Sequence, residues 1–327
     1  MLPTATLPSA SLQTAAQRLA ALLTGAGGGL ADPGGGHLEF DAEVRLRPLS
    51  RAASPPAEVW AVDGGQAVVA DARCLQLVVA RAARTCFRYG MCEVEEEGEL
   101  RAFLLGGGEN RAVAAGLGLG IAEDATVDLN LLRDHQEWVL VDRCVEEAAP
   151  GALVLVDGDL ETDWRVPPSW LSDLLGRAAA GKVVVAAVTK RSSLSRGGAP
   201  LLGALEMEAG RDLGPRAMWW APVARSRAGA RVVAARLDPD APYAFRVDVS
   251  PGADPEEVVS RLASVCDDAG FPGYPYPLTV ADRLAACPPW LRQDTWYELD
   301  ELLDRAGVPA EVRERAFADR HDLMERF

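Results

Sequence analysis

The feature that most constrains this fold is an apolar run that ends on two carboxylates. Residues 152–160 read ALVLVDGDL, with β-branched and other apolar side chains until Asp157 and Asp159. Such a run predicts a buried strand that delivers a carboxylate to the edge of a sheet. Residues 59–65 (VWAVDGG) have the same form and end on Asp63. A single Asp-Gly after a strand is usually a turn, but the pair predicts two carboxylates that meet at one end of a sheet.

The composition is that of a globular protein. The chain has 327 residues, 49% of them hydrophobic and 25% charged, which suits one large α/β domain or two smaller ones. Its six cysteines lack CxxC spacing, which argues against a zinc site and a disulfide framework. A net charge of −15 argues against wrapping of nucleic acid by the whole surface, though a local basic groove remains open. No apolar run reaches the length of a membrane span and no secretory leader opens the chain, so we expect a soluble, cytoplasmic protein without membrane contact.

Around the two strands, the sequence pattern predicts one domain with an extension at each end. Residues 1–50 are expected to form an N-terminal helical and loop extension, residues 51–290 the main domain, and residues 291–327 a helical tail packed on it. Within 58–105 we expect an antiparallel meander, whose first turn is at Gly64-Gly65. The other predicted elements are helices at 11–23, 127–148, from 172, 254–268 and 279–286, strands at 37–48 and 182–188, and edge strands at 217–223, 231–237 and 244–249.

The helix at 127–148 supplies a third carboxylate. Glu137 lies among its apolar positions, four residues after Arg133. One interpretation is an ordinary ion pair across one helical turn; the other is an inward carboxylate beside Asp63 and Asp157. The order of strand-end Asp, meander, helix-borne Glu and strand-end Asp is typical of a ribonuclease-H-like α/β fold, a mixed sheet flanked by helices. Such carboxylates can hold two divalent ions about 3.5–4 Å apart for phosphodiester hydrolysis.

Five short stretches carry a resemblance to a known family. They are AVDGG at 61–65, LRxxxE at 132–137, LVDGDL at 155–160, VTKxS at 188–192 and GYPYPLxxAD at 273–282, of which the last is the most distinctive. With these stretches the chain resembles the NurA family of nucleases over roughly residues 55–290. The resemblance implies a ribonuclease-H-like DNA nuclease that depends on Mn²⁺ or Mg²⁺.

The same resemblance implies a cellular role and partners. NurA-family nucleases form ring-like homodimers and work with HerA, a hexameric DNA-translocating ATPase. Together they resect DNA ends in double-strand break repair, commonly with 5′ to 3′ polarity. We therefore expect an exonuclease that also has endonuclease activity and binds DNA and a HerA-type ATPase.

The resemblance also implies roles for individual residues. Asp63, Glu137 and Asp157 match the metal-binding acids of the family. Tyr274 matches the tyrosine near the active site, although packing alone would also account for it. Lys190 matches the lysine after the fifth strand, where a cation could contact a phosphate or the attacking water, although a solvated strand end is the alternative.

Two departures from the family pattern stand out. Gly65 and Asp159 follow the two Asp-Gly pairs, where the family commonly has Ser. Asp282 stands where the family commonly has a His eight residues after the tyrosine. An Asp can ligate Mn²⁺ or Mg²⁺ but cannot act as a neutral imidazole base. The candidate DNA-phosphate contacts are Arg191, Arg196 and Arg283.

Two other functions compete with the nuclease. The run ending in Asp157 and Asp159 also fits a haloacid-dehalogenase-like phosphatase, with Asp157 as nucleophile and Asp159 as general acid and base. Thr189 with Lys190 and the Asp267-Asp268 pair would complete that site, but residues 55–150 would then be unexplained. The other alternative is a non-catalytic NurA-like scaffold that only docks on an ATPase ring, which the Asp282 departure allows.

Overall fold

A computed structural model of the chain describes residues 11–24, 28–34, 37–119, 126–163 and 165–318. The helices in these ranges are α1 (Leu12–Thr24), α2 (Glu109–Gly116), α3 (Leu129–Glu147), α4 (Pro168–Ala180), α5 (Leu201–Asp212), α6 (Pro255–Ala263), α7 (Tyr276–Ala285), α8 (Pro289–Arg305) and α9 (Ala310–Phe317). The strands are β1 (Leu30–Ala31), β2 (Leu38–Phe40), β3 (Arg47–Pro48), β4 (Glu58–Asp71), β5 (Gln76–Arg88), β6 (Met91–Glu97), β7 (Arg101–Leu105), β8 (Leu153–Asp157), β9 (Val184–Thr189), β10 (Ser195–Arg196), β11 (Ala199–Pro200), β12 (Trp219–Ser226), β13 (Arg231–Arg236) and β14 (Phe245–Val249).

One large mixed sheet organises the molecule. Its strand order is β2-β12-β13-β14-β9-β8-β4-β5-β6, with β3 also paired to β12 and β7 to β5. The central strands β4, β8 and β9 are parallel, while β5 and β6 continue antiparallel from β4. Strands β1, β10 and β11 form a small separate antiparallel sheet. Among the residues that the structure describes, no helix is long and apolar enough to cross a membrane.

Both faces of the central strands are covered by helices. Along β8, Leu153 and Leu155 pack in a cluster that includes α6 and α7, whereas Val154 and Val156 pack in a cluster with α3 and α4. Successive side chains of a strand point to opposite faces, so a strand covered on both sides must be apolar throughout. The predicted ribonuclease-H-like α/β sheet flanked by helices is confirmed.

The predicted turn at Gly64-Gly65 is wrong. Strand β4 continues through both glycines, which pair with Ala82 and Arg81 of β5. A Cβ on Gly64 would lie 2.2 Å from Oε1 of Glu137, and one on Gly65 would lie 1.9 Å from the carbonyl oxygen of Ala285 in α7. Glycine is needed here because a helix approaches the strand on each side, not because the chain reverses.

We expect Gly65→Ala to lower the free energy of unfolding by about 1–3 kcal/mol, the usual cost of overpacking. The neighbouring atom is a backbone oxygen, so α7 has to move. The matched control is Gly176→Ala in the interior of α4, where a Cβ meets nothing within 4 Å. That variant should gain up to about 1 kcal/mol from helix propensity. Urea denaturation of the two variants measures both effects, and equal stability would contradict the close approach of α7.

Other elements agree with or depart from the expectations in informative ways. Helices α1 and α3 match the predicted helices at 11–23 and 127–148, whereas α7 begins three residues earlier than predicted and α6 ends at Ala263. The strands predicted at 231–237 and 244–249 are not edge strands. As β13 and β14 they lie inside the sheet, because β13 alternates apolar side chains between two buried clusters.

The two ends of the chain are seen only in part. Strands β2 and β3, from the segment predicted as an N-terminal extension, pair with β12. Of the predicted tail, α8 and α9 are described and α8 lies against β4, while residues 319–327 lie outside the described residues. Residues 1–10, 25–27 and 35–36 of the predicted N-terminal extension also lie outside them. The predicted domain limits therefore stay predictions.

Candidate active site

Three carboxylates meet at one end of the parallel strands. Asp63 lies in β4, Asp157 is the last residue of β8, and Asp282 lies on α7. One oxygen from each lies within 4.8 Å of the other two. Because Val62 of β4 is paired in parallel register with Val156 of β8, Asp63 and Asp157 follow at the same level of the sheet. Helix α7 then brings Asp282 to them from a distant part of the chain.

Lys190 joins the three carboxylates. It follows the last residue of β9, and its Nζ lies 2.9 Å from Oδ2 of Asp157 and 2.8 Å from Oδ1 of Asp282. The distance from Nζ to Oδ2 of Asp63 is 3.7 Å. Burial alone would lower the pKa of Lys190, but the carboxylates, Asp157 first, outweigh burial and raise this pKa. The side chain is therefore a charged ammonium bound by acids.

Tyr274 fixes the position of Asp157. Its hydroxyl donates a hydrogen bond of 3.1 Å to Oδ1 of Asp157, and its ring is 1% exposed. The ring packs against Phe245 and Phe271, with centroids 5.6 Å away in each case. Burial raises the pKa of Tyr274, so the hydroxyl stays a neutral donor. Core packing and contact with a site carboxylate are thus both roles of this side chain.

One buried oxygen of Asp63 has no hydrogen-bond partner. Its Oδ1 accepts a hydrogen bond of 2.7 Å from the Gly64 amide, whereas Oδ2 is buried and has no hydrogen-bond partner in the structure. Burial and, after it, the nearby charge of Asp157 raise the pKa of Asp63 to about 9, although Lys190 opposes the rise. A buried carboxylate oxygen needs a proton or a cation. Hard divalent ions bind oxygen ligands, so this group of residues fits such an ion.

Glu137 lies beside this group but outside it. It is buried on α3 against Gly64, and its Oε1 is 3.1 Å from Nε of Arg133, which is the helical ion pair of the sequence analysis. Burial raises the pKa of Glu137 to about 8, although Arg133 opposes the rise. Among the described residues, the close group of acids contains Asp282 and not Glu137. A metal-binding role for Glu137 stays a prediction.

The three candidate DNA-contact arginines have different surroundings. Arg191 is exposed and follows Lys190 directly. Arg283 follows Asp282 on α7, and its side chain is 71% exposed. Arg196 lies in β10 and forms a 2.7 Å ion pair with Glu208. Arg191 and Arg283 thus adjoin the acidic group, whereas Arg196 is engaged elsewhere, and all three contacts with DNA stay predictions.

The sequence analysis missed a buried ion-pair cluster beside the site. Nε and Nη2 of Arg246 each lie 2.8 Å from an oxygen of Asp248, which is 0% exposed. Asp248 also accepts a 3.1 Å hydrogen bond from the Leu160 amide, so this pair fixes the loop that follows Asp157. Other acids within 4.0 Å of Arg246 are Asp32, Asp159 and Glu161. The available signal was an Arg and an Asp inside an apolar strand, since buried charges must be paired.

Asp63→Asn should stabilise the protein in the absence of metal ions. The pKa of Asp63 in the fold, about 9, exceeds its ordinary value of 3.8, so the folded chain must take up a proton that the unfolded chain lacks between these pH values. Stability of the wild type therefore falls as pH rises through this window, and the asparagine variant avoids the loss. Urea midpoints in EDTA should show a gain that is negligible near pH 4 and grows towards pH 9. A gain independent of pH would contradict this account.

The fold and the position of the carboxylates together define the fold class of the protein. The mixed sheet with carboxylates at the end of its central strands is a ribonuclease-H-like α/β fold. No protein-family model matches the chain, and no curated protein sequence matches it.

Solved structures share the fold. The NurA nuclease from Sulfolobus solfataricus superposes with a TM-score of 0.53 at 15% identity, over 82% of this chain and 88% of that one. A NurA structure with manganese gives 0.46 at 9% identity over 79% and 91% of the two chains. The catalytic domain of human endonuclease V gives 0.41 at 17% identity over 81% and 92%. Only the first exceeds 0.5, and at 15% identity it establishes the fold. The chain has a NurA-like nuclease fold, as the sequence motifs implied.

Proposed function

We propose that this protein is a metal-dependent DNA nuclease that hydrolyses phosphodiester bonds. One observation carries the proposal. Asp63, whose buried Oδ2 has no hydrogen-bond partner, has an oxygen within 4.8 Å of oxygens of Asp157 and Asp282 at the end of the central strands. The NurA-like fold and the matching sequence stretches support the same reaction.

The proposed metal ligands are Asp63, Asp157 and Asp282, with Mn²⁺ or Mg²⁺ as the ion. A bound divalent ion would polarise a phosphoryl oxygen and lower the pKa of a water molecule. A mechanism with two ions would need a further carboxylate, for which Glu137 is the candidate because it is buried on the neighbouring helix. Asp282 replaces the histidine that the family pattern suggested, so a neutral imidazole does not act as base at this position.

Other side chains of the site would orient the ligands and bind the substrate. Tyr274 holds Asp157 through its hydroxyl and so sets the direction of the carboxylate. Lys190 supplies a positive charge at the level of the three acids, where a phosphodiester would arrive. Arg191 and Arg283 are exposed next to these residues and are the proposed contacts to DNA phosphates; Arg196 is the weaker candidate because Glu208 already engages it.

The cellular role is proposed from the family resemblance. It comprises DNA end resection in double-strand break repair, with 5′ to 3′ exonuclease and endonuclease activity, in the cytoplasm and together with a HerA-type hexameric ATPase. A homodimer is proposed as well. The exposed side chains of Trp290 and Tyr297, seven residues apart on one face of α8, support it because they form an apolar surface that a second subunit could cover.

The test of the reaction is cleavage of end-labelled single-stranded and double-stranded DNA with Mn²⁺, with Mg²⁺ and with EDTA. We expect cleavage with either metal, none with EDTA, and none from Asp63→Ala. Asp212→Ala, which removes an exposed carboxylate on α5, is the matched control and should cleave like the wild type. Labels at the 5′ and 3′ ends report polarity. Cleavage that persists in Asp63→Ala would disprove the site.

The two competing functions predict other outcomes. The phosphatase interpretation needs Asp267 and Asp268 beside Asp157. They instead line a cavity beside Val59, near the start of β4. Asp63, which is level with Asp157, lies four residues further along this strand. A scaffold without activity would cleave no DNA in either metal. Repeating the assay with a HerA-type ATPase separates that scaffold from a nuclease that needs its partner.

A further inference from the structure

Lys190 is an unusual choice of residue for this chain. The sequence contains 33 lysine and arginine residues, and only Lys182 and Lys190 are lysines. Elsewhere the chain places arginine against its acids, as at Arg84, Arg246 and Arg313. An ammonium is a compact, strongly hydrated point charge on a flexible stem, whereas a guanidinium is a broad planar fork. A pocket that fits a metal ion can therefore accept the compact ammonium but not the broad guanidinium.

The ammonium of Lys190 lies among the proposed metal ligands. Its Nζ is 2.8–3.7 Å from one oxygen of each of Asp157, Asp282 and Asp63. Three carboxylates held this close repel each other unless protons or cations intervene. In the structure Lys190 is the positive side chain that all three share. It therefore performs the electrostatic part of a cation's role at this site.

A divalent ion and this ammonium compete for the same oxygens. Mg²⁺ binds oxygen at about 2.0–2.1 Å, and Ca²⁺ at about 2.3–2.6 Å. An ion at such distances from Asp157 and Asp282 would lie too close to an ammonium that is already 2.9 and 2.8 Å from their oxygens, and would repel it. The Lys190 side chain is 36% exposed, so it has a route to solvent.

We propose that Lys190 is an internal counter-ion that occupies the metal position among Asp63, Asp157 and Asp282, and that metal binding displaces its ammonium. This inference rests on the proposed function. Lys190 thus holds the acids together in the metal-free protein and lowers their affinity for the metal. Once displaced, the ammonium is free to meet a substrate phosphate at the opening of the site.

The test uses Lys190→Met with Lys182→Met as the matched control. Lys182 lies in the turn before β9, and its replacement makes the same chemical change away from the three acids. Calorimetry should show that Lys190→Met binds Mn²⁺ at least about tenfold more tightly than the wild type, since a competing charge is gone. Its melting temperature should fall in EDTA and recover in Mn²⁺, giving a larger metal-induced shift than in the wild type. Lys182→Met should match the wild type in both measurements.

Each other result has a definite meaning. Unchanged or weaker Mn²⁺ binding by Lys190→Met, with a wild type that binds Mn²⁺ and cleaves DNA, overturns the displacement and leaves the nuclease standing. A wild type that neither binds Mn²⁺ nor cleaves DNA overturns the proposed function instead. Lys190→Gln removes the charge but keeps a hydrogen-bond donor, and provides the same comparison if the methionine variant does not fold.

Discussion

Asp157→Asn should reduce DNA cleavage by at least about a thousandfold, equivalent to about 4 kcal/mol of transition-state stabilisation. The substitution keeps the size of the side chain and an oxygen for the Tyr274 hydroxyl, so the fold should remain. It removes the negative charge that faces Lys190 at 2.9 Å and that would help to bind the proposed metal ion. Single-turnover cleavage with saturating Mn²⁺ measures the loss, and an unchanged melting temperature in EDTA shows that the fold is intact.

Asp159→Asn is the matched control for this prediction. It makes the same change two residues later, on a carboxylate that faces Arg246 at 3.6 Å and does not belong to the group of three acids. Cleavage should stay within about threefold of the wild type. Activity towards a phosphomonoester instead of DNA, lost in both Asp157→Asn and Asp159→Asn but kept in Asp63→Asn, would favour the phosphatase.

Arg246→Met should lower the free energy of unfolding by about 3–5 kcal/mol, the usual cost of removing one partner of a buried ion pair. Asp248, at 0% exposure, would lose both hydrogen bonds from the guanidinium. Burial raises the pKa of Asp159 to about 6 even though Arg246 lowers it. Loss of the arginine would therefore also destabilise the charged form of Asp159. Urea denaturation at pH 7 in EDTA measures the change.

The control for this loss is Arg216→Met. Arg216 pairs with Asp240 at the surface, where both side chains are mostly exposed, and exposed pairs contribute little. Its effect should stay within about 0.5 kcal/mol. A double variant, Arg246→Met with Asp248→Leu, should recover part of the loss because the buried Asp248 carboxylate is removed together with its partner. Equal stability of the two single variants would show that the cluster does not clamp the loop after β8.

The sequence could predict those parts of the fold that depend on local patterns of apolar and charged side chains. An apolar run on both faces of β8 can only be a buried strand, and its final acid must then emerge at the sheet edge. The same reasoning applied to Asp63 gave the second carboxylate. The Gly64-Gly65 pair was misinterpreted because its cause is the approach of Glu137 and Ala285, whose positions depend on how α3 and α7 pack.

The parts that escaped prediction depend on contacts between distant segments. The family resemblance indicates Asp282 and Lys190 as candidate site residues, but their contact spans 92 positions of the chain and depends on the path of α7. The acids around Arg246 come from separate segments, so no local spacing reveals them. Arg246 and Asp248 within the apolar strand β14 indicated a buried ion pair. They did not indicate which other acids would join it, or how many.

The backbones of Asp63 and Asp157 differ in how firmly the fold holds them. Asp63 lies within the long strand β4, where it pairs with Ala83 of β5 and directly follows the residues paired with β8, so strand pairing holds its backbone. Asp157 instead ends its strand and precedes Gly158, whose φ of +122° suits glycine alone. If the proposed metal site binds ions of different radii, the adjustment should fall on Asp157 and Asp282, while Asp63 keeps its position.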